Sequence, residues 1–139
     1  MLFMNEKKLQ TVCFTGHRQM KEATTKVEYR LIKIIESLIQ KKYIYFCVGC
    51  ARGFDILAAE AVLKLKKQYP KIQLILVLPF DKQYQHEKGW EQLEIEQYHQ
   101  LKIQASKVII LACEYHSGIY YKRNRYLVDN SSILYCLYD

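Results

Sequence analysis

Only two prolines and five glycines occur among 139 residues, so there is little from which linkers or low-complexity tracts are made. No apolar run approaches the roughly 20 residues of a membrane helix. The apolar run after Lys7 and Lys8 is too short for a secretory leader. No repeat or break in composition divides the chain, and its length suits one domain, residues 1–139, with one core. The five cysteines are odd in number, and no second close Cys or His pair completes a zinc set. Cys13, Cys47, Cys113 and Cys136 fall in apolar runs, where a thiol behaves as a small buried hydrophobe. The expectation is a reducing, cytoplasmic setting with no disulfide framework, no metal and no membrane partner.

What is present is an ordinary globular composition, 50% hydrophobic and 25% charged, with a net charge of +7. The cations fall in small groups: Lys7 and Lys8, Lys41 and Lys42, Lys64 with Lys66 and Lys67, Lys122 with Arg123 and Arg125. Such groups suit solvated helix faces, and they equally suit a surface that attracts phosphate, on a nucleotide or on single-stranded nucleic acid.

Strand and helix patterns alternate. Thr11–Gly16, Tyr43–Gly49, Ile72–Pro79, Lys107–Ala112 and Ser132–Asp139 read as strands. Between them, Val27, Leu31, Ile34, Ile35 and Leu38 mark a helix over Thr24–Gln40, and Leu57, Ala58, Ala61, Val62 and Leu65 mark one over Phe54–Tyr69, stopped by Pro70. Trp90, Leu93, Gln97, Tyr98 and Leu101 mark a third over Glu87–Gln104, and "RNRYLVDN" a short fourth. Near-continuous apolar strands separated by helices imply an α/β, Rossmann-like three-layer fold. About five mostly parallel strands would carry helices on both faces.

Ligands in such sheets bind beyond the carboxyl ends of the strands. The segments there, "TGHRQ", "VGCARGFD", "LPFDKQYQHEKGW" and "CEYHSGIYYKRNR", hold every glycine and the lone tryptophan. Cys47 and Cys50 are spaced C-x-x-C, but a redox pair needs its first Cys at a helix N-terminus and Cys47 belongs to a strand. Gly49, Ala51 and Gly53 instead form a strand–turn–helix junction of small side chains that presents backbone N–H groups to an anion. Arg52 adds a charge-assisted contact. Asp55 reads either as the N-cap of the helix or as an acceptor for a sugar hydroxyl. In the first loop Gly16 permits a turn and Arg18 adds charge, while His17 is either a positioned donor or an acid–base group. Phe80, Gln83 and Trp90 can line a base pocket, and Trp90 can equally be core.

Taken together, "CFTGHR", "ARGFDILAAEAVLKLK", the spacing of Pro79, Gln83 and Trp90, and "RNRYLVDNSSILYCLYD" resemble the bacterial DUF1273 family. This is a YpsA-like branch of the SLOG superfamily, named for the Smf/DprA and LOG proteins. The resemblance spans Thr11–Asp139. It implies a Rossmannoid domain that binds a nucleotide or nucleotide-derived ligand, in a sensor or regulatory role and without a resident cofactor. It implies that Gly16, His17 and Arg18 line one loop, and that Gly49, Cys50, Ala51, Arg52, Gly53 and Asp55 form a second. Gln83 joins them, and Arg123 with Asn124 resembles the Arg-Lys pair of the LOG enzymes. Cys50 stands where the family has a smaller residue, which would crowd the turn. The family pattern continues past "LYD" into a Gly-Gly-Thr segment, and in LOG enzymes that segment supplies a catalytic glutamate. Without it, Asp55, Glu60 and Asp129 are the nearest substitutes and no turnover is expected. The alternatives are DprA-like binding of single-stranded nucleic acid and LOG-like cleavage of an N-glycosidic bond. A homo-oligomer is left open.

Overall fold

The computed structural model describes residues 7–16, 18 and 23–137. Its strands are β1 (Thr11–Gly16), β2 (Tyr45–Val48), β3 (Gln73–Phe80), β4 (Lys107–Ala112) and β5 (Ile133–Leu137), and its helices are α1 (Thr24–Gln40), α2 (Phe54–Lys66), α3 (Gln92–Gln104) and α4 (Ile119–Asp129). The strands form one sheet in the order β4-β3-β2-β1-β5, with every pair parallel. The chain steps outward from β1 to β4 and then returns across the sheet to β5. Right-handed crossovers therefore put α1, α2 and α3 on one face and α4 on the other. The packing agrees: α1 lies on α2, α2 on α3, and α4 crosses β3 and β4.

Strand periodicity divides the apolar residues between these layers. Val12, Phe14, Phe46, Val48, Leu74, Leu76 and Leu78 face the three-helix layer. Cys13, Cys47 and Val77 face α4, where they meet Leu127. Both faces are covered, which is why the strands read as continuous apolar runs rather than alternating ones. In α1 one stripe is buried, Val27, Leu31, Ile35 and Leu38. α2 is buried nearly all round because α1 and α3 flank it, and Ala58, Ala59 and Ala61 let the neighbours approach.

Two boundaries differ from the sequence reading for definite reasons. α3 begins at Gln92, not Glu87, because Glu91 and Glu94 form a capping box there, and residues 83–85 make a separate 3-10 turn. Leu93 accordingly turns outward and is 64% exposed. α4 begins four residues before Arg123: Ile119 is buried and starts the helix after Gly118, whose φ is +83°. The tyrosines of that first turn disguise it as loop. The thiols also differ, since Cys113 is exposed just past β4 and Cys50 is fully buried.

Candidate functional site

The loop from Gly49 to Gly53, between β2 and α2, is held from three sides. Arg123 Nη1 donates to the Gly49 carbonyl at 2.8 Å, and Gln83 Nε2 donates to the Cys50 carbonyl at 2.8 Å. From below, an Asp55 carboxylate oxygen accepts the Ala51 N–H at 3.2 Å. Cys50 and Gly53 take φ of +58° and +81°. With its backbone folded this way, the loop carries the first N–H groups of α2, which have no intrahelical acceptor, at the sheet edge. Gly49 is required by space, because a Cβ there would lie 2.5 Å from Arg123 Nη1. Gly16 is required for the same reason and not for a turn: it ends β1, and a Cβ would lie 2.5 Å from the Phe54 ring.

Two carboxylates and two guanidiniums gather around this loop. Asp55 is buried, and loss of solvent pushes its carboxyl up to about 6 despite the opposing pull of Arg123, the Ala51 N–H and Arg18. Burial lowers the Arg123 guanidinium, and Asp55 partly offsets that. Closer to solvent, Arg18 Nη2 lies 3.3 Å from Glu87 Oε1, and the Glu87 side chain is only 9% exposed. Tyr120 sits between the two arginines, its ring centre 5.4 Å from the Arg18 guanidinium and 5.8 Å from that of Arg123. Burial raises the Tyr120 phenol, and the facing Glu87 carboxylate raises it further. Among the described residues, the Tyr120 hydroxyl and Glu87 Oε1 are buried polar atoms without a hydrogen bond of good geometry. Glu87 Oε1 is nonetheless ion-paired with Arg18, and the Tyr120 hydroxyl faces the same carboxylate.

The residues singled out in the sequence fall into distinct positions. Gly16, Arg18, Gly49, Ala51, Gly53, Asp55 and Arg123 share the carboxyl edge. Cys50 contributes only backbone, since its side chain lies in the main core and does not crowd the turn. Gln83 is fully buried and acts as a strut beneath the loop. Arg52 points away toward α3 and grips Glu94 through Nε and Nη2 at 3.0 and 3.1 Å. Exposed Asn124 accepts from Arg123 Nε at 2.9 Å. His17 lies outside the described residues. Asp55 is not the N-cap of α2, which is Gly53. Trp90 packs against Tyr84 and Tyr98 and reaches Glu87 Oε2 at 3.4 Å. Of the substitute carboxylates, Glu60 is half-buried in α2, and Asp129 is exposed beside Arg125.

Glu87, Tyr120, His86 and Tyr115 escape a reading of the sequence. No local pattern marks them, and only the convergence of the β3–α3 and β4–α4 loops brings them together. The C-x-x-C spacing also resolves here: Cys47 belongs to the layer under α4 and Cys50 to the opposite layer. Burial pushes the Cys47 thiol up to about 12, which leaves it protonated and unreactive. Among the described residues no three His, Cys, Asp or Glu side chains are placed to hold a metal.

This arrangement can be compared with known proteins. The family model YpsA, described as the YspA SLOG family, matches residues 12–139. The chain belongs to this SLOG family. YpsA-family relatives include the UPF0398 protein YpsA of Bacillus subtilis, 26% identical over 94% of this chain and 77% of its own length. The UPF0398 protein BH1768 of Halalkalibacterium halodurans is 30% identical over 89% of this chain, and the SPbeta prophage-derived protein YoqJ of Bacillus subtilis 31% over 82%. The chain spans 63% of BH1768 and 72% of YoqJ. Two solved structures share the Rossmann-like fold at 15% identity. TM1055 superposes with a TM-score of 0.55 over 91% of this chain and 59% of its own. DNA processing protein A (DprA) from Streptococcus pneumoniae gives 0.58 over 94% and 42%. As for membranes, no helix among the described residues is long and apolar enough to cross one.

Proposed function

We propose that the chain binds a nucleotide or nucleotide-derived ligand at the carboxyl edge of its sheet. The observation that carries this reading is the convergence at Gly49–Gly53 of a helix N-terminus, two arginines and two poorly solvated carboxylates. The helix terminus and Arg18 suit a phosphate, and the lone pairs that Asp55 and Glu87 do not spend on Ala51, Arg18 and Trp90 suit hydroxyl or amino donors. Membership of the SLOG family supports the same reading, as does the place of the site in the fold. Thermal-shift measurements against nucleoside mono- and diphosphates, ribose 5-phosphate and inorganic phosphate test it. A saturable rise in Tm with phosphorylated nucleosides is expected, and a flat response across the panel would overturn the reading.

A second reading is single-stranded nucleic acid, favoured by the net charge of +7 and by the fold shared with a DNA processing protein. Oligonucleotide affinity that falls steeply with added salt, and that exceeds mononucleotide affinity at low salt, would favour it. Hydrolysis of an N-glycosidic bond has less support. Asp55 is already committed to the Ala51 N–H, and Glu87 to Arg18 and Trp90. Assay of free base from purine nucleoside monophosphates tests for it directly.

A further inference from the structure

Beside the Gly49–Gly53 loop stands a group of rings that the binding reading leaves without a role. His86, from the β3–α3 loop, and Tyr115, from the β4–α4 loop, stack with ring centres 3.8 Å apart and planes 17° from parallel. Both side chains are exposed, Tyr115 by 44%. Phe80, buried at the end of β3, supports them edge-on, its ring centre 6.0 Å from His86 and 5.9 Å from Tyr115. The same Phe80 ring lies 6.0 Å from Tyr120, on which Arg18 and Arg123 rest. A continuous row thus runs from an exposed aromatic stack, through Phe80 and Tyr120, to the guanidinium edge.

We infer that the stacked His86–Tyr115 pair is the platform for the base of a purine mononucleotide whose phosphate lies toward Arg18. This rests on the binding reading above and adds the ligand class to it. One face of each ring is covered by its partner, and both side chains are exposed, so a flat guest would stack on the outer face of the pair. The platform is assembled from two separate loops and fixed from beneath by a buried ring, so stacking requires little new ordering. A purine offers the larger π-face, and the guanidiniums two rings away suit a phosphate on the same ligand. The groove between α2 and α3 is lined by leucines (Leu63, Leu93, Leu101), amides and charged side chains such as Glu60 and Lys64, with no aromatic ring.

Isothermal titration calorimetry with adenosine 5′-monophosphate, cytidine 5′-monophosphate and ribose 5-phosphate tests the inference on the wild-type chain and on Tyr115→Ala and Tyr115→Phe. Tyr115 is exposed in a loop, so neither variant should impair folding, and circular dichroism checks this. The expected result is tightest binding of the purine, a loss of about tenfold or more in its affinity for Tyr115→Ala, little change for Tyr115→Phe, and ribose 5-phosphate indifferent to either. Equal affinity for the purine nucleotide and ribose 5-phosphate, unchanged in Tyr115→Ala, would overturn the platform while leaving the phosphate site standing. Failure of all three probes to bind would overturn both. Tighter binding of an oligonucleotide than of the mononucleotide would overturn the mononucleotide assignment.

Discussion

Arg123 Nη1 donates a 2.8 Å hydrogen bond to the carbonyl of Gly49, which lies 74 residues earlier in the chain. One guanidinium thereby links α4, on one side of the sheet, to the turn that starts α2 on the other. Its remaining contacts, Asn124 at Nε and the Tyr120 ring, make Arg123 the keystone of the edge. Arg123→Ala leaves the Gly49 carbonyl with only the long 3.5 Å contact from Gln83 Nε2 and removes the cation that most offsets the burial of the Asp55 carboxyl. A loss of about 3 kcal/mol in unfolding free energy is expected from urea titration. Arg123→Lys should recover little, because an ammonium cannot serve the carbonyl, Asn124 and the ring together. A loss below about 1 kcal/mol for the alanine variant would contradict this role.

Asp55 gives the fold a defined pH signature. Its carboxyl titrates near 3.8 when unfolded and at about 6 when folded, chiefly through burial. The folded state therefore holds this proton over a wider range than the unfolded one. The resulting stabilisation is full below about pH 4 and disappears as pH rises through about 6, and it amounts to about 3 kcal/mol. Asp55→Asn keeps an oxygen for the Ala51 N–H but does not titrate. The stability of the wild type relative to this variant should fall between about pH 4 and pH 7. A constant difference across that window would show that Asp55 is not held in this way.

Arg52 and Glu94 form a half-buried bidentate pair, each side chain 19% exposed, and Glu94 also accepts the Glu91 N–H at the cap of α3. Arg52→Ala should cost about 1 kcal/mol of stability, and Glu94→Gln a similar amount. If Arg52 serves the ligand only by bracing the loop, both variants lose affinity in the same proportion. A much larger loss of phosphate affinity in Arg52→Ala than in Glu94→Gln would show that Arg52 leaves Glu94 to grip the ligand.

Cys50 occupies a left-handed backbone conformation, φ +58°, with its sulfur in the core. Cys50→Gly relieves strain of about 1–2 kcal/mol and removes a small buried side chain at a comparable cost. Near-neutral stability is expected by thermal melting. A drop of more than about 2 kcal/mol would mean that the thiol packs more than the backbone strains.

The layers of this fold were legible because strand and helix periodicities are strong where both faces of the sheet are covered. α1 and β4 begin and end where the spacing of Val27 to Leu38 and the run Lys107–Ala112 place them. The entry to α4 was hidden by Tyr120 and Tyr121, whose side chains suit a loop as well as a first helical turn. At the site, the glycines announced close approach, but their partners, Phe54 at Gly16 and Arg123 at Gly49, are separated from them in sequence. Arg52 looked like a phosphate ligand because its neighbours are small, and nothing local signals that Glu94 of α3 will claim it. Glu87, Tyr115 and Tyr120 acquire meaning only when the sheet brings the β3–α3 loop, the β4–α4 loop and the first turn of α4 to one edge.

The most direct measurement of the central claim is a 1H–15N correlation spectrum recorded during titration with adenosine 5′-monophosphate. The account expects saturable shifts concentrated at the amides of Gly49, Ala51, Gly53, Tyr115 and Tyr120, with the α2–α3 surface around Gln100 and Gln104 unchanged. Shifts confined to that surface, or none at saturating nucleotide, would contradict a ligand site at the carboxyl edge of the sheet.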